Sequence, residues 1–205
     1  MKLKILKIIA TALASVTGCG ALIYYNFIDK AVAGLNIGSL CPDFTVDTYE
    51  VQDGTFLVSE KDFTLSENFG KIVVVNFWET WCTGCIEELP HFDEIAKKYP
   101  TDQVEVLAVV GQTYTLQGVA DWMNEKGWTY VDEESEWSQF SLTFANYDET
   151  GVNLYSLLGG SGGWPRTVII DQKGNAYFET DASMTYEDLE TVVKELLQQG
   201  GQVKE

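Results

Sequence analysis

The chain predicts an α/β fold: a central mixed sheet flanked by helices, with an added N-terminal β-hairpin. Three observations carry this expectation. The run "IVVVNFW", Ile72 to Trp78, is apolar throughout except for Asn76, as a central parallel strand requires, and leads directly into residues of helical period. A second buried run, "VEVLAVVG" from Val104 to Gly111, precedes another helical pattern, which completes a βαβ unit. The C-terminal part then reads as a hairpin followed by one amphipathic helix.

Each element follows from local pattern. "CPDFTVDTYEVQDGTFLVS" alternates in strand fashion around Asp53-Gly54, a hairpin turn, and "DFTLSENFGK" reads as a short helix or turn. From Cys82 to Lys98, Cys82, Cys85, Leu89, Phe92, Ala96 and Tyr99 share one helical face, with Pro90 expected to kink it. "LQGVADWMNEKG" is a helix ending at Gly127, and "FSLTFANYD" holds a short strand after an acidic stretch. Arg166–Asp171 and Ala176–Thr180 flank the turn Gln172 to Asn175, and "TYEDLETVVKELLQQG" closes the chain as a helix with Gly200 past its end. The chain shows no internal repeat.

The order β-α-β-α-β-β-α, preceded by a hairpin, is the thioredoxin arrangement. With 205 residues, 45% of them hydrophobic and six Trp, the chain can bury one real core and is not of disordered type. A formal net charge of -18 excludes a phosphate-backbone partner, so no nucleic acid is expected. Acidic clusters such as Asp132, Glu133, Glu134 and Glu136 read as a solvated face.

Residues 1–29 carry Lys2, Lys4 and Lys7 and then 21 uncharged residues, Ile8 to Ile28. That run approaches the roughly 20 residues needed to span a bilayer and exceeds a cleaved signal's core of about 7 to 15. An uncleaved signal anchor with the domain facing the extracytoplasmic side of the cell membrane leads. The rival is a lipoprotein signal: Val16-Thr17-Gly18-Cys19 resembles a lipobox, which would leave Cys19 lipidated. Residues 30–38 read as a linker, 39–200 as the domain and 201–205 as a tail.

The chemistry-bearing stretch is "NFWETWCTGCIEELPHF", Asn76 to Phe92. A thiol at a helix N-terminus is favoured as thiolate, which makes Cys82 the attacking group. Cys85, one turn later on the same face, can attack a mixed disulfide and close an internal one. Zinc needs about four ligands, and no second Cys-x-x-Cys or His pair accompanies this one, so no metal is expected. His91, the only histidine, reads as a surface or boundary residue.

"NFWETWCTGCIEELP", "CPDF", "LSENFGKIVVVNFW" and "GGWPRTVIID" resemble the membrane-anchored, extracytoplasmic thioredoxin-like proteins of the TlpA/ResA type, over Gly38 to about Gln199. The resemblance implies Cys82 as nucleophile, Cys85 as resolving thiol, Trp81 as flanking shield and Pro165 as a cis-proline beside the disulfide. Trp164 would offer its backbone to substrate, and Thr83 and Gly84 would tune the redox poise. Glu88 matches the family's buried acid. A desolvated carboxyl beside two thiols has a raised pKa and can exchange a proton near neutrality, and Glu87 would then face solvent.

Three positions depart from the family: Gly84, Arg166 and Cys41, the last in place of the usual residue before Pro-Asp-Phe. Gly84 stands where a proline is usual, and Arg166, after Pro165, is expected to add a positive contact to the substrate groove. Cys41 reads as a small, partly buried apolar residue.

The expected function is a membrane-tethered thiol-disulfide oxidoreductase that reduces exported proteins, its partners being thiol or disulfide clients and a membrane thiol electron donor. The alternatives are an oxidase using the same site and a non-catalytic copper-binding module on the same fold. A peroxide-reducing enzyme with one essential cysteine is a weaker reading. No cofactor is expected, since the cysteine pair itself carries two electrons.

Overall fold

The computed structural model describes residues 35–53, 55–110, 115–125, 140–146 and 154–200. The expected membrane segment and Cys19, Gly54, the helix end at Gly127, the acidic stretch and the tail lie outside the described residues. Among the described residues no helix is long and apolar enough to cross a membrane.

The strands are β1 (Thr45–Gln52), β2 (Thr55–Thr64), β3 (Ile72–Trp78), β4 (Val104–Val110), β5 (Thr143–Asn146), β6 (Arg166–Ile170) and β7 (Ala176–Thr180). The helices are α1 (Thr83–Lys98), α2 (Leu116–Glu125), the single turn α3 (Leu154–Leu157) and α4 (Tyr186–Gln199), with a 3-10 turn at Leu65–Asn68. One sheet holds all seven strands in the order β2-β1-β5-β4-β3-β6-β7. β3, β4 and β5 run parallel, and β1, β2, β6 and β7 join antiparallel. This is the predicted mixed sheet with its added hairpin, and the hairpin enters it through β1 beside β5.

Every residue of β3 is buried, and the strand's alternation sends its side chains to two cores. Ile72, Val74 and Trp78 pack with Ile86, Leu89 and Phe92 of α1, Val119 and Met123 of α2, and Leu189 and Val193 of α4. Val73, Val75 and Phe77 face the opposite core, with Phe44, Phe63, Leu65, Leu154, Tyr155 and Leu158. Asn76 is the one polar residue of β3, and by the same alternation it points toward α1 and α4.

α1 begins at Thr83, one residue later than its apolar pattern suggests, because Cys82 is its N-cap. The helix continues through Pro90 to Lys98. α4 starts with a reciprocal capping box between Thr185 and Asp188. The compact unit begins at Leu35: Gly38 N–H bonds the Ala176 carbonyl and Leu40 bridges Asn175, so residues read as linker already run along β7. Cys41 is 4% exposed, in the core with Phe44 and Leu65, deeper than the partial burial expected.

Candidate active site

The end of β3 delivers the chain into a tight turn in which Cys82 N–H bonds the Glu79 carbonyl. Cys82 Sγ accepts the Cys85 backbone N–H at 3.2 Å, satisfying one of the donors that a helix start leaves open. The two cysteines are joined as a disulfide. Cys82 is partly exposed and Cys85 fully buried, so an incoming thiol meets the Cys82 sulfur first. Between them, Thr83 is exposed, and a Cβ built on Gly84 would meet only Ser183 Oγ, at 4.0 Å. Space therefore does not require glycine at position 84.

Glu88 is 2% exposed, whereas neighbouring Glu87 lies in solvent, as expected from the helical period. Its Oε1 accepts from Asn76 Nδ2 at 2.8 Å and its Oε2 from the Met184 backbone N–H at 2.9 Å. Burial pushes the carboxyl up from 4.5 to about 7, against the opposing pull of the Met184 N–H, the Asn76 amide, the His91 charge and the Ser183 hydroxyl. An acid so tuned gives and takes a proton at neutral pH. His91 Nδ1 lies 3.1 Å from the Met184 carbonyl, so the lone histidine is tied to the same residue whose N–H holds Glu88.

The opposite wall is the segment from Gly159 to Pro165. Trp164-Pro165 is a cis peptide, with Pro165 buried. The Trp164 ring stacks on Tyr155 at 4.7 Å between centroids and meets the Trp81 ring edge-on at 6.4 Å. Trp81, directly before Cys82 in the chain, is 60% exposed. Tyr155 Oη donates to the Gly163 carbonyl at 2.6 Å and accepts the Gly162 N–H at 3.0 Å, which holds the glycine-rich segment in place. A Cβ at Gly160 would fall 2.3 Å from the Tyr155 ring, so that close approach does require glycine.

Arg166 does not reach the groove, contrary to expectation. It is 3% exposed, and its guanidinium is enclosed by Glu179, by Asp181 at 2.6 Å and by the Leu158 carbonyl at 2.8 Å. The cationic head is drawn inward because those two acids and a carbonyl supply the partners a buried guanidinium needs. Sequence reasoning also missed Tyr155, which sits in a one-turn helix within a glycine-rich region, and the Ser183-Met184 segment, whose role is carried by backbone.

Cys41, the free thiol among the described residues, is pushed up to about 12 by burial and by the nearby Asp171 charge, which leaves it unreactive. Among the described residues no cluster of three or more His, Cys, Asp or Glu side chains could hold a metal ion.

The profile of the AhpC/TSA family matches residues 37–177. A thiol-disulfide oxidoreductase ResA of Geobacillus thermodenitrificans is 30% identical, the alignment covering 83% of each chain. The thioredoxin-like protein YneN of Bacillus subtilis is 29% identical over 81% of this chain and 84% of its own. Among solved structures, the exposed lipoprotein thioredoxin Etrx1 of Streptococcus pneumoniae is 27% identical with a TM-score of 0.54, covering 76% of this chain and 100% of its own. With the sheet topology and the Cys82–Cys85 disulfide, these matches establish that the chain belongs to the thioredoxin-like AhpC/TSA family and is a thiol-disulfide oxidoreductase.

Proposed function

We propose that this oxidoreductase works tethered to the membrane on its extracytoplasmic side and runs in the reducing direction on exported proteins, with electrons supplied by a membrane thiol donor. The observation that carries the exchange chemistry is the buried Glu88 with its carboxyl raised to about 7. In a reduction, the Cys82 thiolate attacks a client disulfide, forming the mixed disulfide and releasing one client thiolate. Glu88 then takes the thiol proton of Cys85, and the Cys85 thiolate attacks Cys82 Sγ. The second client thiolate leaves, the internal disulfide forms, and two electrons have passed to the client. Run backwards, the protonated carboxyl gives its proton to the leaving Cys85 thiolate, so Glu88 serves either direction and the potential of the pair decides between them.

Trp81, Trp164 and Pro165 are read as the surface on which an extended client segment lies, with Thr83 and Gly84 at its margin. The tether rests on the lysine-flanked uncharged run Ile8 to Ile28, and the lipobox-like Val16 to Cys19 offers its lipidated variant. That Etrx1 is itself described as an exposed lipoprotein favours an extracytoplasmic setting.

The test is the reduction potential of the Cys82/Cys85 pair, set by thiol-disulfide buffers and read as alkylated cysteines by intact mass. A value near or below thioredoxin's, about -270 mV, supports reduction, and one near DsbA's, about -120 mV, reverses the direction. Failure of the pair to form a disulfide at any poise would end the redox reading and send the thiolates to copper titration. Cys85→Ser should in addition accumulate the mixed disulfide with a client peptide, and Cys82→Ser should not.

A further inference from the structure

At the centre of the sheet, Asn76 is completely buried, paired in register with Ala108 on one side and Thr167 on the other. A buried side-chain amide has two donor hydrogens and an acceptor oxygen to satisfy. Both hydrogens are used: Nδ2 donates to Glu88 Oε1 at 2.8 Å and to Thr167 Oγ1 at 3.3 Å. Its Oδ1 is buried without a partner. A desolvated carbonyl left open in a core is costly, and nothing in strand packing asks for an amide there.

The open oxygen acquires a use once Glu88 holds a proton. Turned over about its last torsion, the amide presents Oδ1 where Nδ2 now lies, able to accept both the carboxylic O–H and the Thr167 O–H. Its two hydrogens then take the open position, so each arrangement leaves one end of the amide unpaired. The Thr167 hydroxyl, which accepts in the present arrangement, can donate in the other. Met184 N–H stays on Oε2 in both. We infer that Asn76 is a positioning residue whose amide turns over with the proton on Glu88, donating to the carboxylate and accepting from the acid, with Thr167 reversing in step.

The consequence is that Glu88 is held at one point in either protonation state. The proton arriving on Oε1 is the one leaving the Cys85 thiol, so negative charge moves from carboxylate to sulfur, and apart from that proton only the Asn76 and Thr167 hydrogen bonds change. The groups shown to act on Glu88 are Asn76 from β3, Ser183 and Met184 N–H from the segment before α4, and His91 from its own helix; Cys85 lies one helical turn before it. His91 is the titratable neighbour whose charge acts on it, and it does so from the rim of the pocket, tied to the Met184 carbonyl.

The experiment is a pH titration of the full-length oxidised protein, labelled with carbon-13 and nitrogen-15, in detergent micelles. The Glu88 carboxyl carbon and the Asn76 side-chain amide are followed together by NMR. The Asn76 resonances should move with the midpoint of Glu88, and amide-proton contacts to Thr167 should be lost on the acid side. Glu88→Gln should hold Asn76 in the acid-side spectrum at every pH, because a glutamine amide donates to Oδ1 as the protonated acid does. Asn76→Thr should raise the Glu88 midpoint by about one pH unit, a tenfold loss of preference for the charged form. Asn76 resonances indifferent to the Glu88 titration, or a Glu88→Gln spectrum matching the ionised form, would overturn the inference. The inference builds on the exchange reading, but the titration needs no turnover, so its failure leaves the exchange activity and the reduction potential standing as separate results.

Discussion

Replacing Glu88 by glutamine should stabilise the oxidised protein, by an amount that grows as pH rises from about 4.5 through 7 and then levels off. In the folded protein the carboxyl sits at about 7, against an ordinary value of 4.5. Because the folded state binds this proton more tightly than the unfolded chain, Glu88's favourable contribution is full below pH 4.5 and is lost as pH rises through 7. A shift of that size corresponds to about 3 kcal/mol between the two limits. Glutamine carries no charge to desolvate. Its carbonyl can keep the Met184 N–H, and its amide can donate to Asn76 Oδ1, which is open at present. Urea unfolding of the oxidised forms should therefore give similar stabilities near pH 4.5. At pH 9 the variant should lead by up to about 3 kcal/mol, a midpoint shift of about 1 to 3 M at the urea dependence usual for small domains. The same difference at both pH values, or a variant less stable at pH 9, would show that Glu88 is not a desolvated acid and would remove the basis of its proton role.

Three further outcomes are expected. Removing the charges around Arg166 from either side should be unequal: Glu179→Gln with Asp181→Asn strands a buried cation and should cost about 3 kcal/mol or more. Arg166→Met frees acids that are 35% and 47% exposed, which water can take over, and should cost less in the same denaturation assay. Gly84→Ala should stabilise the protein by roughly 0.5 to 1 kcal/mol in thermal unfolding, since the helix gains a better former and the space is open. Cys41 should resist alkylation at pH 8 in the folded, reduced protein while Cys82 reacts, as peptide mapping by mass would show, and should react once urea opens the core.

Much of this architecture was legible because its signals are local. β3 announces itself by seven consecutive buried residues, the turn before β7 by Gly174 at φ 85, and α4 by its Thr185 and Asp188 box. The cysteine pair was legible from its spacing on one helix, and Glu88 from the resemblance to a family with a buried acid there. Arg166 was not, because its partners depend on strand register. β7 advances two residues, Ala176 to Phe178, while β6 advances one, so counting outward from the turn misplaces every pair beyond the irregularity. With that extra residue included, Val168 faces Glu179 and Thr167 faces Thr180, which brings Arg166 beside both acids. The Asn76–Thr167 pair is hidden for the same reason, and α3 is too short for any period to show.

The added hairpin leaves β2 as one edge of the sheet, with a row of backbone donors and acceptors along it. Such an edge is a template onto which a second molecule can add a strand. Here it carries Glu60, Lys61 and Asp62 in the open, and its pairing with β1 is broken by an irregularity between Asp47 and Tyr49. Thr48 Oγ1 further occupies the Lys61 carbonyl. An incoming strand would have to bury three charges against a kinked ladder, and with a net charge of -18 on each copy it would also approach against repulsion. The extension can thus widen the sheet without making the protein prone to polymerise through it.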